Sequence, residues 1–157
     1  MSDASRPPTA SPSGARLVLG FAAGFIAVLV FHQGMVAFLH AFELTRAGPY
    51  QMQPTWPFGL AKFWSLAFWG GVWGILYVLV ERWFPRGAKY WLTAFVVGAL
   101  GPTLVSWFII SPIRGVPIAG GWHIANMWRG LILNGAWGLG TAITLWLFSK
   151  LEAPNRN

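Results

Sequence analysis

The chain has 157 residues, of which 55% are hydrophobic and 10% charged, with mean hydropathy +0.54 and a formal net charge of +7. A soluble domain this short cannot bury that much apolar surface, and soluble domains carry about 25% charged residues, so a water-soluble globule is excluded. The basic balance does not signal nucleic acid either, because the eleven Lys and Arg are scattered over five segments with no cluster to follow a phosphate backbone. Cysteine is absent, which removes disulfides and thiolate metal sites.

Four continuous apolar runs are long enough to span a bilayer core of roughly 30 Å, which takes about 20 helical residues. They cover about 16–42, 62–82, 90–110 and 129–149. Because the runs do not alternate, they disfavour a β-barrel. The expectation is an all-α integral membrane four-helix bundle, with its lipid-facing surface as its first partner.

Residues 1–15, rich in Ser, Pro and Ala, read as a disordered cytoplasmic N-terminus. The run that follows is long and lacks a convincing small-x-small cleavage site, so an uncleaved first span is expected. On a helix, Gly20, Ala23, Gly24, Ala27 and Gly34 share one face, a pattern of small residues that lets another helix approach closely. The opposite face runs from Phe21, Phe25 and Leu29 to His32, Gln33, His40 and Glu43. Polar groups against lipid are costly, so the outer half of this span should have protein or water on both sides, from a cavity or an oligomer contact.

The first connection holds Pro49, Pro54 and Pro57 with Tyr50 and Trp56 and is too proline-rich for a regular helix. Trp56 and Trp64 suit the headgroup level. The second span presents Ala67, Gly70, Trp73, Gly74 and Tyr77 on one face, with Gly70 and Gly74 as a small-xxx-small pair. The second connection is short and basic, with Arg82, Arg86 and Lys89. The third span contains Gly98, Gly101 and Pro102, then Thr103 and Ser106, and Pro102 should kink it. The third connection is again rich in Pro and Gly. The fourth span shows Gly130, Asn134, Trp137, Gly138 and Thr141 on one face, and residues 150–157 form a short polar tail.

A repeat runs through this order. A shift of 64 positions lays Trp64, Gly71, Trp73 and Gly74 on Trp128, Gly135, Trp137 and Gly138. A shift of 74 lays Phe21, Gly24 and Phe31 on Phe95, Gly98 and Val105. Units of two spans each must be parallel repeats about an axis along the membrane normal, so the sequence predicts a duplicated helical hairpin. Seven Lys and Arg lie in the termini and second connection, four in the longer first and third connections. The positive-inside rule then puts both termini in the cytoplasm.

At about 1.5 Å of rise per residue, His32, Gln33, Ser106 and Asn134 fall at a similar depth, roughly 8 Å inside the outer boundary. They form the candidate polar layer. Three readings of it compete: interhelical hydrogen bonds that only fix packing, the floor of an outward vestibule for a small solute, ion or proton, and a haem or metal site at His32. The last lacks a second histidine at that depth, since His40 and His123 lie near the surface, and no cofactor or metal is expected. His40 and Glu43, three apart, read as a surface ion pair more readily than as metal ligands. Trp73 and Trp137 could stack a flat ligand or fill the neighbouring glycine grooves. No hydrolase, zincin or phosphate-loop motif occurs, and none of the four carboxylates, Asp3, Glu43, Glu81 and Glu152, lies in a membrane interior. No catalytic residue is therefore named.

The stretches Phe31–Gly34, Phe68–Gly74 and Asn134–Gly138 resemble those of short four-span bacterial inner-membrane proteins. The resemblance covers Gly20 to Gly140 and implies a fold and a location but no activity. The reading favoured at this level is a non-enzymatic accessory or interaction subunit of the inner membrane, self-associated or docked on a membrane-protein partner. The alternative is a small transporter or channel whose outward vestibule includes His32, Gln33 and Asn134.

Overall fold

The computed structural model describes residues 12–55 and 58–152; the expectations for residues 1–11, for Trp56 and for residues 153–157 lie outside them. Four helices are long and apolar enough to cross a membrane: α1 (Gly14–Ala41), α2 (Lys62–Glu81), α3 (Ala88–Ile113) and α4 (Ile124–Leu151). The described residues form an all-α bundle with one two-stranded ribbon in the first connection, Pro54–Thr55 paired antiparallel with Leu60–Ala61. Ser13 caps α1 by accepting the Arg16 N–H at 3.3 Å, satisfying one of the donors a helix start leaves free. Gly87, at φ +70°, turns the chain between α2 and α3 in a conformation few residues other than glycine take easily.

The helices pair as two hairpins, α1 with α2 and α3 with α4, and the hairpins meet chiefly where α1 lies against α4. Half of the most apolar stretch of α4 is buried, against 22–39% in the other three, so α4 is the central helix.

Each hairpin closes on glycine. A Cβ placed on Gly20 would lie 2.7 Å from the Gly74 carbonyl oxygen, and one on Gly24 would overlap that of Gly70. In the second hairpin a Cβ on Gly98 would lie 2.5 Å from the Gly138 Cα, and one on Gly138 would lie 2.5 Å from the Ala94 carbonyl oxygen. Beside each seam a phenylalanine covers a further glycine: Phe21 lies on Gly71 and Phe95 on Gly135. Without a hydrophobic drive between helices in lipid, such close backbone approach supplies the dispersion contacts that hold them together. Trp137 joins the two hairpins. Its buried indole N–H donates to the Gly24 carbonyl at 2.9 Å, and Phe31 fills the space over Gly140.

The expected small-residue face of α1 is correct as far as Ala27 and then changes. Gly20, Ala23, Gly24 and Ala27 are buried, but Gly34 is exposed. The cause is a wide π-helical turn at Val28–His32. The extra residue moves the buried stripe on by one position, through Val28, His32 and Leu39. The turn starts four residues after Gly24, whose carbonyl is shared between the Val28 N–H and the Trp137 indole. A side chain inserted into the helical ladder is a recognised place for it to loosen. A second π turn, Ser106–Ile110, follows Pro102 in α3, where proline has removed a ladder donor.

Candidate functional site

The first connection folds back over the end of α1 instead of running along the surface. The Tyr50 N–H donates to Gln33 Oε1 at 2.8 Å, and the Tyr50 hydroxyl donates to the Leu29 carbonyl at 3.1 Å. These bonds hold Tyr50 at φ +52°, a strained value for a non-glycine residue that persists where its surroundings over-determine it. The Lys62 and Phe63 N–H groups donate to the Gln53 and Gln51 carbonyls, both at 2.9 Å, which ties the connection to the start of α2. His40 Nδ1–H donates to the Thr45 carbonyl at 3.1 Å.

Beneath this connection is a cavity of about 250 Å³. His32, Gln33, Val36 and Leu39 of α1 wall it, with Lys62, Phe63 and Leu66 of α2 and Arg129 and Leu133 of α4. Thr45, Ala47, Gly48 and Gln51 of the connection border it on the loop side. His32 and Gln33 are buried, and neither His32 Nδ1 nor Arg129 Nε has a hydrogen-bond partner among the described residues. Lys62 Nζ donates to Gln51 Oε1 at 2.7 Å. The cover that the polar end of α1 requires thus comes from the same chain.

The structure divides the polar layer expected from sequence. His32 and Gln33 face the cavity. Asn134 faces α3 and donates through Nδ2 to Thr103 Oγ1 at 2.8 Å. Ser106 is exposed, and its carbonyl accepts from the Ser111 hydroxyl at 2.9 Å. The correction follows from helical phase. Thr103 and Trp107, four apart, both lie by Gly130 of α4, so Ser106, one position short of Trp107, is rotated about 100° off that stripe. Thr103 takes the place Ser106 was given.

The two tryptophans also part. Trp137 enters the groove that Gly24 and Gly70 leave, with its Nε1 3.3 Å from where a Gly70 Cβ would be. Trp73 is half-buried and lies over Gly101 of α3. They do not stack on each other. Gly70, Gly74 and Gly138 are buried at the seams. Glu43 is exposed and forms no ion pair with His40 among the described residues.

Sequence reasoning missed two features. The first is the role of Lys62 and Arg129, counted only as topological charge. Their signal is that each precedes an apolar run with no carboxylate within four positions. The second is a clamp at the end of the bundle bearing the termini. There the Arg16 guanidinium pairs with Glu81 Oε2 at 2.5 Å, and the Tyr90 hydroxyl donates to Glu81 Oε1 at 2.5 Å. One carboxylate joins α1, α2 and α3. A broader cavity of about 710 Å³ adjoins it, lined by Arg82, Arg86, Trp91 and Trp146 among others. Between the two cavities the bundle is filled by Trp137, Tyr77, Thr141 and Leu145, all buried.

Comparison with protein-family models, curated proteins and solved structures finds no match to this chain.

Proposed function

We propose that the protein is a multi-pass protein of the bacterial inner membrane that binds a small polar solute at its loop end, as a transporter does in a state closed at its centre. One observation carries the reading: the His32–Arg129 cavity is polar on three helices and contains buried nitrogens without partners. A buried polar group without a partner costs about 1–3 kcal/mol, so a chain that only needed packing would gain by filling the space with apolar side chains. At about 30 Å³ per water, 250 Å³ corresponds to roughly eight waters, a volume suited to a small solute. The filled layer at Trp137 and Tyr77 speaks against a permanently open channel.

The accessory-subunit reading rested on α1 needing a partner to cover its polar end. The folded-back connection supplies that cover, so the argument for a partner weakens and the vestibule gains. Positive-inside charge supports cytoplasmic termini, with the cavity then on the outer side. We further propose that the architecture is a duplicated hairpin, because the two sequence shifts bring Phe21–Gly71 and Phe95–Gly135 into equivalent contacts.

The test is thermal unfolding of the detergent-solubilised protein against small polar solutes. At least one should raise the midpoint by several degrees, and His32→Ala should weaken that response while leaving a cooperative transition. If no solute shifts the midpoint, the chain has no vestibule and the accessory reading returns. Phosphatase fusions at Arg86 and Gly120 should report inside and outside respectively; the reverse pattern rejects the orientation.

A further inference from the structure

We infer that the loop-end cavity takes an oxyanion, meaning a carboxylate, sulfate or phosphate group, with Arg129 as its main anchor and Lys62 as the second. The inference rests on the solute-binding reading above and names the chemistry of the solute. Among the described residues, two cationic side chains line the cavity and no carboxylate does. The one ion pair among the described residues, Arg16 with Glu81, lies at the opposite end of the bundle. The Arg129 guanidinium has five donors and no acceptor. Its Nε is buried without a partner. Its guanidinium carbon stands 5.9 Å over the ring of Trp128, a contact that satisfies no N–H. Lys62 has three donors, of which the neutral Gln51 amide takes one.

Other classes of solute fit less well. A cation would enter a cavity whose formal charges among the described residues are all positive. A neutral solute could accept hydrogen bonds but would leave both charges uncompensated, that of the half-buried Arg129 at more cost than that of the exposed Lys62. An oxyanion answers both needs, because charge-assisted N–H bonds to an anionic oxygen are about twice as strong as neutral ones. His32, buried with Nδ1 unpartnered, and Gln33 then fix its orientation. Gln33 Oε1 is already taken by the Tyr50 N–H, so the Gln33 amide NH₂ is the end free for an oxyanion. The same chemistry is available from a free small anion and from the phosphodiester of a lipid headgroup.

The experiment is thermal unfolding of the full-length protein in neutral detergent at constant ionic strength. Inorganic phosphate and acetate are titrated against a chloride background. The expected result is a saturable rise in the midpoint for the wild type. The apparent affinity should fall about tenfold in Arg129→Gln, the loss of one charged anchor, and severalfold in Lys62→Gln. It should be retained in Arg114→Gln, which removes an exposed cation from the same end outside the cavity. Arg129→Lys keeps the charge and should recover part of the affinity. If Arg129→Gln shows no cooperative transition, Lys62→Gln and Arg129→Lys carry the test. A shift produced by phosphatidylglycerol mixed micelles but not by free anions supports the oxyanion and identifies its source as a headgroup. An equal anion response in wild type, Arg129→Gln and Lys62→Gln overturns the inference. So does a response to neutral or cationic solutes alone, which would leave the solute-binding reading standing. Silence toward every solute removes both.

Discussion

The two hairpins close in the same way and then do different things. Gly24 of α1 meets Gly70 and Gly74, and Gly98 of α3 meets Gly138; Phe21 covers Gly71 and Phe95 covers Gly135. Beyond these seams the correspondence fails. Trp137 is buried and bonded to the Gly24 carbonyl, whereas Trp73, at the matching place in α2, is half-buried over Gly101. The α1–α4 contact is therefore tight and the α2–α3 contact is loose. At the opposite end, the shift of 74 that pairs Phe21 with Phe95 also pairs Arg16 with Tyr90, and both reach the single carboxylate of Glu81. The place in α4 that matches Glu81 is Leu145, which is buried in the core. Glycine at the seam sets the pairing of helices, and the residues around it are free to differ. That freedom lets the first hairpin supply most of a polar cavity, to which α4 of the second adds Arg129 and Leu133.

The strongest way to break the comparison is to overfill both seams. Gly24→Val and Gly98→Val each drive side-chain atoms into backbone of the facing helix, and overpacking of this kind costs about 1–3 kcal/mol or more. Both should lower the thermal midpoint sharply and by similar amounts. Gly34→Val, on the same helical face by simple periodicity but exposed and with open space at its Cβ, should be neutral. A loss in Gly34→Val equal to that in Gly24→Val would mean that the wide turn at Val28–His32 does not re-phase α1.

The next effect concerns the asymmetry at Glu81. Glu81→Gln keeps the shape but removes the charge that pairs with Arg16 and strengthens the bond from Tyr90. Charged hydrogen bonds are worth about 1.5–3 kcal/mol, reduced here because the Arg16 side chain is 36% exposed and partly screened by solvent. The variant should unfold at lower temperature, and high salt should narrow its gap from the wild type. If the gap is independent of salt, the carboxylate contributes through packing and the clamp is not electrostatic.

These two regions also show what the sequence could reveal. The spans were legible because continuous apolar runs of sufficient length leave few alternatives in lipid. The seams were legible because Gly24, Gly74, Gly98 and Gly138 stand at spacings that only close approach explains. The wide turn was not legible, since an extra residue in a uniformly apolar stretch leaves no mark in its pattern. Its consequence was an error at Gly34; the separate error at Ser106, which stood where Thr103 belongs, came from the helical phase of α3. The cavity was half legible. His32 and Gln33 signalled it by being polar at depth, but Lys62 and Arg129 were hidden by the ordinary use of cations to set topology. The fold-back of Tyr50 onto Gln33 depends on irregular backbone, which has no periodicity to read.

A smaller effect sharpens the contrast between the two tryptophans. Trp137→Phe preserves most of the ring volume but leaves the Gly24 carbonyl without its indole donor, a loss of about 1 kcal/mol. Trp73→Phe removes an N–H for which no acceptor is found among the described residues and should change the midpoint little. Equal losses from the two substitutions would mean that the α2–α3 contact is as tight as the α1–α4 contact, and the central position of α4 would have to be given up.

The smallest effect tests whether the cavity and the α3–α4 seam are separate. Asn134→Ala removes the bond to Thr103, and interhelical hydrogen bonds in membranes average about 0.6 kcal/mol, so a slight drop in the midpoint is expected. Because Asn134 points to α3 while its neighbour Leu133 lines the cavity, the same substitution should leave the anion response unchanged. Gln33→Ala should do the opposite to the response, since Gln33 both borders the cavity and accepts the bond that holds the Tyr50 turn over it. A response weakened as much by Asn134→Ala as by Gln33→Ala would join the two regions into one polar layer across α4, and the separation of the cavity from the α3–α4 seam would be lost.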